Sequence, residues 1–248
     1  MLARLKKYIV NRVLSKLNAH TWSHYYRQGE DTNTLETHYP EISTSHPTDL
    51  CQIMNNCGSD KGRGWHNYTR VYHAIFKDKQ VKNIFELGIG TTDENLTSNM
   101  GPEGIPMASH RGWRNYFEGA NIYAADIDAS VVKNEERIYA YQCDQTNTGS
   151  IEALWSQPTI PKTFDIIIDD GLHEFAANTH FFEHSIHKLK AGGIYVIEDI
   201  KSIALGSWEQ KITTEYTEHY PDLIFRICSI PNLANALDNN LLIIYNSN

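Results

Sequence analysis

Cysteine is scarce in this sequence: Cys51, Cys57, Cys143 and Cys228 are the four present in 248 residues, and no two of them form a CxxC pair. This excludes the dense disulfide framework of a small secreted scaffold and suits free thiols in a reducing compartment. Long apolar runs are missing as well. None approaches the roughly 20 residues of a membrane-spanning helix, and the opening segment lacks the uninterrupted apolar stretch and small-residue cleavage site of a secretory signal. A cytoplasmic location is the expectation. Positive charge is also in short supply, with 22 Lys and Arg against 30 Asp and Glu, a net charge of −8. A protein that grips nucleic acid by its phosphates needs a basic face, so no nucleic-acid partner is expected.

What is present is a balanced globular composition, 41% hydrophobic and 21% charged, enough for one sizeable core. The few cations cluster at the start. In residues 1–17 Leu2, Leu5, Ile9, Val13 and Leu17 share one helical face, and Arg4, Lys6, Lys7, Arg12 and Lys16 stand among the polar positions. Such a helix caps its own domain, makes peripheral contact with an anionic membrane, or packs in a homo-oligomer. Residues 19–46 are polar and lack sustained periodicity, which reads as an arm. The expected organisation is therefore an N-terminal helix and arm over 1–50 and a catalytic domain over 51–248.

Beyond Leu50, short apolar runs alternate with helical stretches, the pattern of βα units. Strands are expected at 83–87, 122–126, 138–143, 164–169, 194–198, 223–228 and 241–245, and helices at 109–117, 150–155, 174–189 and 208–219. The fold class is α/β: a Rossmann-like, mostly parallel, seven-stranded sheet with helices on both faces and an N-terminal helical extension. Sheets of this kind bind ligands beyond the carboxyl ends of their strands, where the strand order reverses.

Three strand ends carry ligand-binding chemistry. The first runs into Glu86-Leu87-Gly88-Ile89-Gly90-Thr91, a glycine turn that lets backbone approach a ligand. A dinucleotide fingerprint would place a third glycine where Asp93 stands and would open a helix at once, so this turn departs from that pattern. The second ends in Asp126-Ile127-Asp128, where Asp126, with Asp128 as its understudy, suits the two hydroxyls of a ribose. The third ends in Cys143-Asp144-Gln145, where Asp144 suits an adenine amino group. Each acid alone is equally a helix cap or a loop residue.

Taken in order, ELGIGT, SHRGWRNYF, NIYAADID, YQCDQT, FDIIIDDGLH and AGGIYVIED resemble the class I methyltransferases, and within them the macrolide sugar O-methyltransferases of the macrocin and mycinamicin type. The resemblance spans about 59–199 and takes in Ser59-Asp60-Lys61-Gly62 and His66-Asn67-Tyr68. It implies S-adenosylmethionine, with Glu86 and Gly88 at the methionine end, Asp126 at the ribose and Asp144 near the adenine. Ser109 and Arg111, at the start of the next helix, offer a hydroxyl and a cation to the cofactor's carboxylate. The insertion over 92–108 is too long for an ordinary βα loop and reads as a lid.

The fourth strand delivers Asp169-Asp170-Gly171-Leu172-His173 and the fifth Glu198-Asp199. Carboxylates crowded at one edge repel unless protonated or neutralised by a cation, and oxygen ligation selects a hard ion, Mg²⁺ first, with Mn²⁺ or Ca²⁺ able to substitute. The resemblance implies Asp170, Glu198 and Asp199 as metal ligands and His173 as general base. Asp169 is expected to support the cofactor side. His66, Tyr68, Tyr72 and Trp208 are read as an acceptor pocket or as core packing, and the His180 and His184 pair lacks a third metal ligand. The expected activity is methylation of a hydroxyl on a sugar or glycan-type small-molecule acceptor. The alternatives are a metal-dependent hydroxylase or hydrolase and a non-catalytic cofactor-binding module.

Overall fold

The structure, a computed structural model, describes residues 47–62, 64–230, 235 and 237–247, together with the strand at 23–26. The amphipathic segment 1–17 and most of the arm lie outside the described residues, and so do the membrane and subunit contacts read there. Among the described residues no helix is long and apolar enough to cross a membrane.

One sheet organises the fold. Its strands are β1 (Ser23–Tyr26), β2 (Asn83–Leu87), β3 (Asn121–Asp126), β4 (Ile138–Gln142), β5 (Phe164–Asp169), β6 (Leu189–Ile197), β7 (Leu223–Ser229) and β8 (Asn240–Asn246). They lie in the order β1-β7-β8-β6-β5-β2-β3-β4. From β6 to β4 all neighbours are parallel, whereas β8 runs antiparallel to both of its neighbours, β6 and β7. The seven expected strands are all there, and the fold is Rossmann-like. The arm contributes an eighth, β1, antiparallel on the edge of β7.

Period-2 alternation divides the core between the two faces of the sheet. Ile84, Ile122, Ile166, Ile168 and Val196 point to one face and meet α1 (Asp49–Cys57), α2 (Tyr68–Phe76) and α3 (Ala108–Tyr116) through Leu50, Met54, Val71, Ile75 and Trp113. Phe85, Leu87, Ile167, Tyr195 and Ile197 point to the other and meet α4 (Thr148–Trp155), α5 (Phe175–Ser185) and α6 (Leu205–Lys211) through Ile151, Leu154, Phe181, Phe182 and Trp208. Local chemistry sets several boundaries. Thr48 caps α1 by accepting from the Cys51 amide at 3.3 Å, and Gly58 closes it at φ +83°. Asn147 caps α4 through the Ser150 amide. The helix expected over 208–219 is broken: α6 gives way to a π-helical turn, Ile212–Tyr216, before Thr217–His219.

From β2 the chain builds outward through β3 and β4, then returns to β5 on the other side of β2. The switch point is thus between β2 and β5, and the loops after these strands face each other across it.

Candidate active site

Gly88 joins the two sides of the switch point. The Asp170 amide donates to the Leu87 carbonyl at 3.0 Å, and Gly88 follows at φ +98°, so close that a Cβ there would collide with the Asp170 carbonyl oxygen. Only glycine satisfies both the positive φ and the close approach. Asp126, at the tip of β3, accepts from the amides of Ile89 at 2.8 Å and Gly90 at 3.2 Å, which fixes the glycine turn against the neighbouring strand. Asp128 takes the Thr91 hydroxyl at 2.5 Å. Asp144 caps its own turn, accepting from the amide and the hydroxyl of Thr146 at 2.9 and 2.6 Å.

Glu86 is fully buried, with three donors around it: the Trp113 indole at 2.6 Å, the Ser109 hydroxyl at 2.9 Å and Lys61 at 3.2 Å. Ser109 therefore sits beside Glu86. Arg111 does not join them. Its guanidinium is committed to Glu135, with Nε 3.1 and 3.0 Å from the two carboxylate oxygens, and to the Pro106 carbonyl. In this structure Arg111 is thus turned to Glu135, away from Glu86.

The segment 92–107 folds back over the glycine turn. Met100 donates its amide to Thr91 and packs its side chain against Gly90, and the Ser98 hydroxyl donates to the Gly171 carbonyl at 3.0 Å across the switch point. The segment read as a lid thus covers the turn.

On the opposite side, β5 and β6 deliver the acids. Asp170, His173 and Asp199 each offer a ligand atom within 4.8 Å of the others. His173 and Asp199 hold left-handed backbone at φ 58° and 53°, an uncommon conformation for residues with a side chain. The buried Nδ1 of His173 has no hydrogen-bond partner, and its Nε2 lies 3.9 Å from Asp199. The carboxylates suit a hard divalent ion, and the imidazole lies beside them. No second histidine belongs to the group among the described residues, so the two-His-one-carboxylate set of a non-haem iron oxygenase is not formed there.

Glu198 is placed differently. It is 1% exposed, and its two oxygens accept from Lys61 and from the Tyr72 hydroxyl. Its oxygens lie outside the Asp170–His173–Asp199 cluster, and Lys61 links it to Asp170. Burial lifts the Glu198 and Asp199 carboxyls above the ordinary range, against the pull of Lys61 on the first and His66 on the second. Burial acts the same way on Asp170, but there the Lys61 and His173 charges outweigh it and hold the carboxyl low. Asp169 is fully buried; burial pushes its carboxyl up to about 6, although Asn178 donates to it at 3.0 Å.

Sequence reasoning missed Lys61 and the work of the tyrosines. The Lys61 ammonium reaches Asp170 at 2.5 Å and pairs with Glu198 and Glu86. Its signal was available: convergent acids demand a cation, and the DKG segment of the resemblance supplies one. Tyr68 and Tyr72 are fully buried; Tyr68 donates to Asp199 at 2.7 Å, while His66 stacks on Tyr68 and lies 3.4 Å from Asp199. Trp208 is buried against Phe175. Of the two readings of these four, acceptor pocket or core packing, their burial fits the second, with the rings supporting the acids or filling the core. Gln145 was missed as well. It accepts from the Leu172 amide at 2.6 Å, which anchors the turn that carries His173.

No protein-family model matches the chain. Among curated proteins it is 32% identical over 148 residues to an 8-demethyl-8-alpha-L-rhamnosyl tetracenomycin-C 2'-O-methyltransferase of Streptomyces olivaceus, covering 58% of this chain and 36% of that protein. It is 31% identical over 163 residues to a demethylmacrocin O-methyltransferase of Streptomyces fradiae, covering 63% and 38%. The match therefore spans well under half the length of these relatives. They are the class of protein that the motifs resemble. Among solved structures, the MycE methyltransferase of the mycinamycin pathway in complex with Mg and SAH superposes with a TM-score of 0.57 at 24% identity, over 81% of this chain and 55% of that one. An O-methyltransferase from Bacillus cereus in complex with SAH gives 0.53 at 11%, over 84% and 95%. The fold is that of the class I methyltransferases.

Proposed function

We propose that this protein transfers a methyl group from S-adenosylmethionine to a hydroxyl of a sugar-containing small molecule, with a divalent ion, Mg²⁺ first, in the acidic half of the cleft. The observation that carries the reading is the convergence of Asp170, His173 and Asp199 at the tips of β5 and β6, beside the Gly88 turn at the switch point. Cofactor binding alone requires none of these three. The names of two curated relatives, 2'- and 3'-O-methyltransferases of rhamnosyl tetracenomycin-C, support the acceptor class.

S-adenosylmethionine would bring an already activated methyl group, and the divalent ion would lower the pKa of the acceptor hydroxyl. The chain supplies the rest. Glu86 and the Gly88 turn would receive the methionine end of the cofactor, Asp126 the ribose and Asp144 the adenine side. Asp170, Glu198 and Asp199 would hold the ion, with Lys61 and Tyr72 positioning Glu198. His173 would take the acceptor proton at Nε2, as a positioned base must. The 92–107 segment would shield the bound cofactor on the side of the turn it covers, and alignment of the two substrates would lower the barrier further.

The test is transfer of labelled methyl from S-adenosylmethionine to 8-demethyl-8-alpha-L-rhamnosyl tetracenomycin C, the compound in the name of one relative. Transfer that stops with EDTA and returns with Mg²⁺ is expected. Transfer indifferent to EDTA would remove the metal from the scheme.

A further inference from the structure

We propose that α4 and α5 carry a separate zinc site, built from His180, His184 and Glu152 and independent of the methyl-transfer reading above. His180 and His184 lie four residues apart on α5, so they share one helical face, and their ring centroids are 4.3 Å apart. A histidine pair at this spacing is a helical zinc-binding unit that still needs a third ligand. The facing helix supplies it. Thr148 and Glu152, also four apart, stand on α4, and the Thr148 hydroxyl lies 3.3 Å from Nε2 of His180 and 3.5 Å from Nε2 of His184. One turn further on, Glu152 lines a surface cavity of about 390 Å³ together with His184 and His187.

The histidines are prepared for a metal. Nδ1 of His184 lies 2.8 Å from the His180 carbonyl and donates to it, since a carbonyl only accepts. In the neutral ring this leaves the lone pair on Nε2, the atom that faces Thr148. Zinc-bound histidines are fixed by an outer partner in the same way. The contacts of both Nε2 atoms to Thr148 are longer than a well-formed hydrogen bond of about 2.7–3.2 Å, so neither nitrogen is firmly held by the hydroxyl. Glu152 is exposed, and its carboxylate has no hydrogen bond or ion pair among the described residues. As the side chains lie, it stands outside ligand distance of the pair, and a turn of this free carboxylate toward His184 closes the set. Two imidazoles and a carboxylate, with water in the fourth position, make a tetrahedral zinc set, whereas the acids at the β5 and β6 tips suit a harder ion.

The ion would be structural. In helical zinc-peptidase motifs a glutamate between the two histidines serves as general base. Here that glutamate, Glu183, is turned to the Tyr216 hydroxyl at 2.9 Å and to Lys211 at 3.3 Å, so it does not face the pair. Bound zinc would clamp α4 to α5, the helices that follow the turns of Gln145 and His173.

The experiment is calorimetric titration of Zn²⁺, in excess Mg²⁺, into the full chain and into His184→Ala, Glu152→Gln and Asp199→Asn. The parent and Asp199→Asn should share a zinc site that His184→Ala lacks and that Glu152→Gln weakens about tenfold or more. Equal zinc binding by the parent and His184→Ala, or by the parent and Glu152→Gln, would overturn the inference. Loss of the site in Asp199→Asn would also overturn it, by moving the zinc to the acidic cluster, and would leave the methyl-transfer reading in place. Melting temperature gives a second readout, because an ion that binds only the folded state raises it. Zn²⁺ should raise it further in the parent than in His184→Ala, and an equal rise in the two would contradict the site.

Discussion

His173 combines features seldom found together: left-handed backbone, a buried ring nitrogen without a partner, and a carboxylate on either side of its reach. Its replacement by alanine should lower kcat by about 10²–10⁴, the range for removal of a positioned general base. Affinity for S-adenosylhomocysteine should stay within about twofold, since Glu86, Gly88 and Asp126 lie on other strands; calorimetry beside turnover separates the two. Gly88→Ala should do the reverse. Its Cβ would meet backbone of Asp170 rather than a movable side chain, so the β2 turn and the β5 tip must part. Cofactor binding is expected to weaken at least tenfold, about 1.4 kcal/mol or more, and unchanged binding would remove the turn from the cofactor site.

The elements differ in how openly the sequence announces them. β2 and β5 were legible because strands buried on both faces read as apolar runs, and Phe164–Asp169 is buried along its whole length. The acids at their tips were legible for the same reason, since a charge that ends an apolar run stands out. α2 was overlooked because Tyr, Thr, Val and Ile are poor helix formers. Tertiary burial of Tyr68, Val71, Tyr72, Ile75 and Phe76, spaced as one helical face, holds it nonetheless. That spacing was the available signal. Lys61 was hidden because its partners come from β2, β5 and β6, more than 20 residues away in every case. β5 carries a prediction of its own. Asp165, near its start, accepts from the Lys82 and Asn83 amides at 2.8 Å and pairs with Lys190, tying β2 and β6 to it. Burial would raise its carboxyl, but Lys190 and the two amides outweigh burial and hold it low. A depressed folded value means that the stabilisation is present above the unfolded value of about 3.9 and is lost as pH falls through the folded one. Asp165→Asn should therefore flatten the acid limb of stability against pH below about pH 4, as measured by urea unfolding; a limb of unchanged slope would count against this bond.

At the scale of the whole molecule, the sheet order places every proposed functional residue at one edge: the Gly88 turn and Asp126 on one side of the β2/β5 switch point, Asp170, His173 and Asp199 on the other. The helical pair α1 and α2 closes that edge with Lys61, Tyr68 and Tyr72, and the 92–107 segment covers it. A cofactor bound at the first half and an ion at the second would meet between them. The most direct test is calorimetric titration of the full chain with S-adenosylhomocysteine, in Mg²⁺ and in EDTA. Saturable binding to one site per chain in both conditions is the predicted result, because the cofactor half stands on residues that the ion does not touch. No binding in either condition would contradict methyl transfer as the chemistry of this cleft.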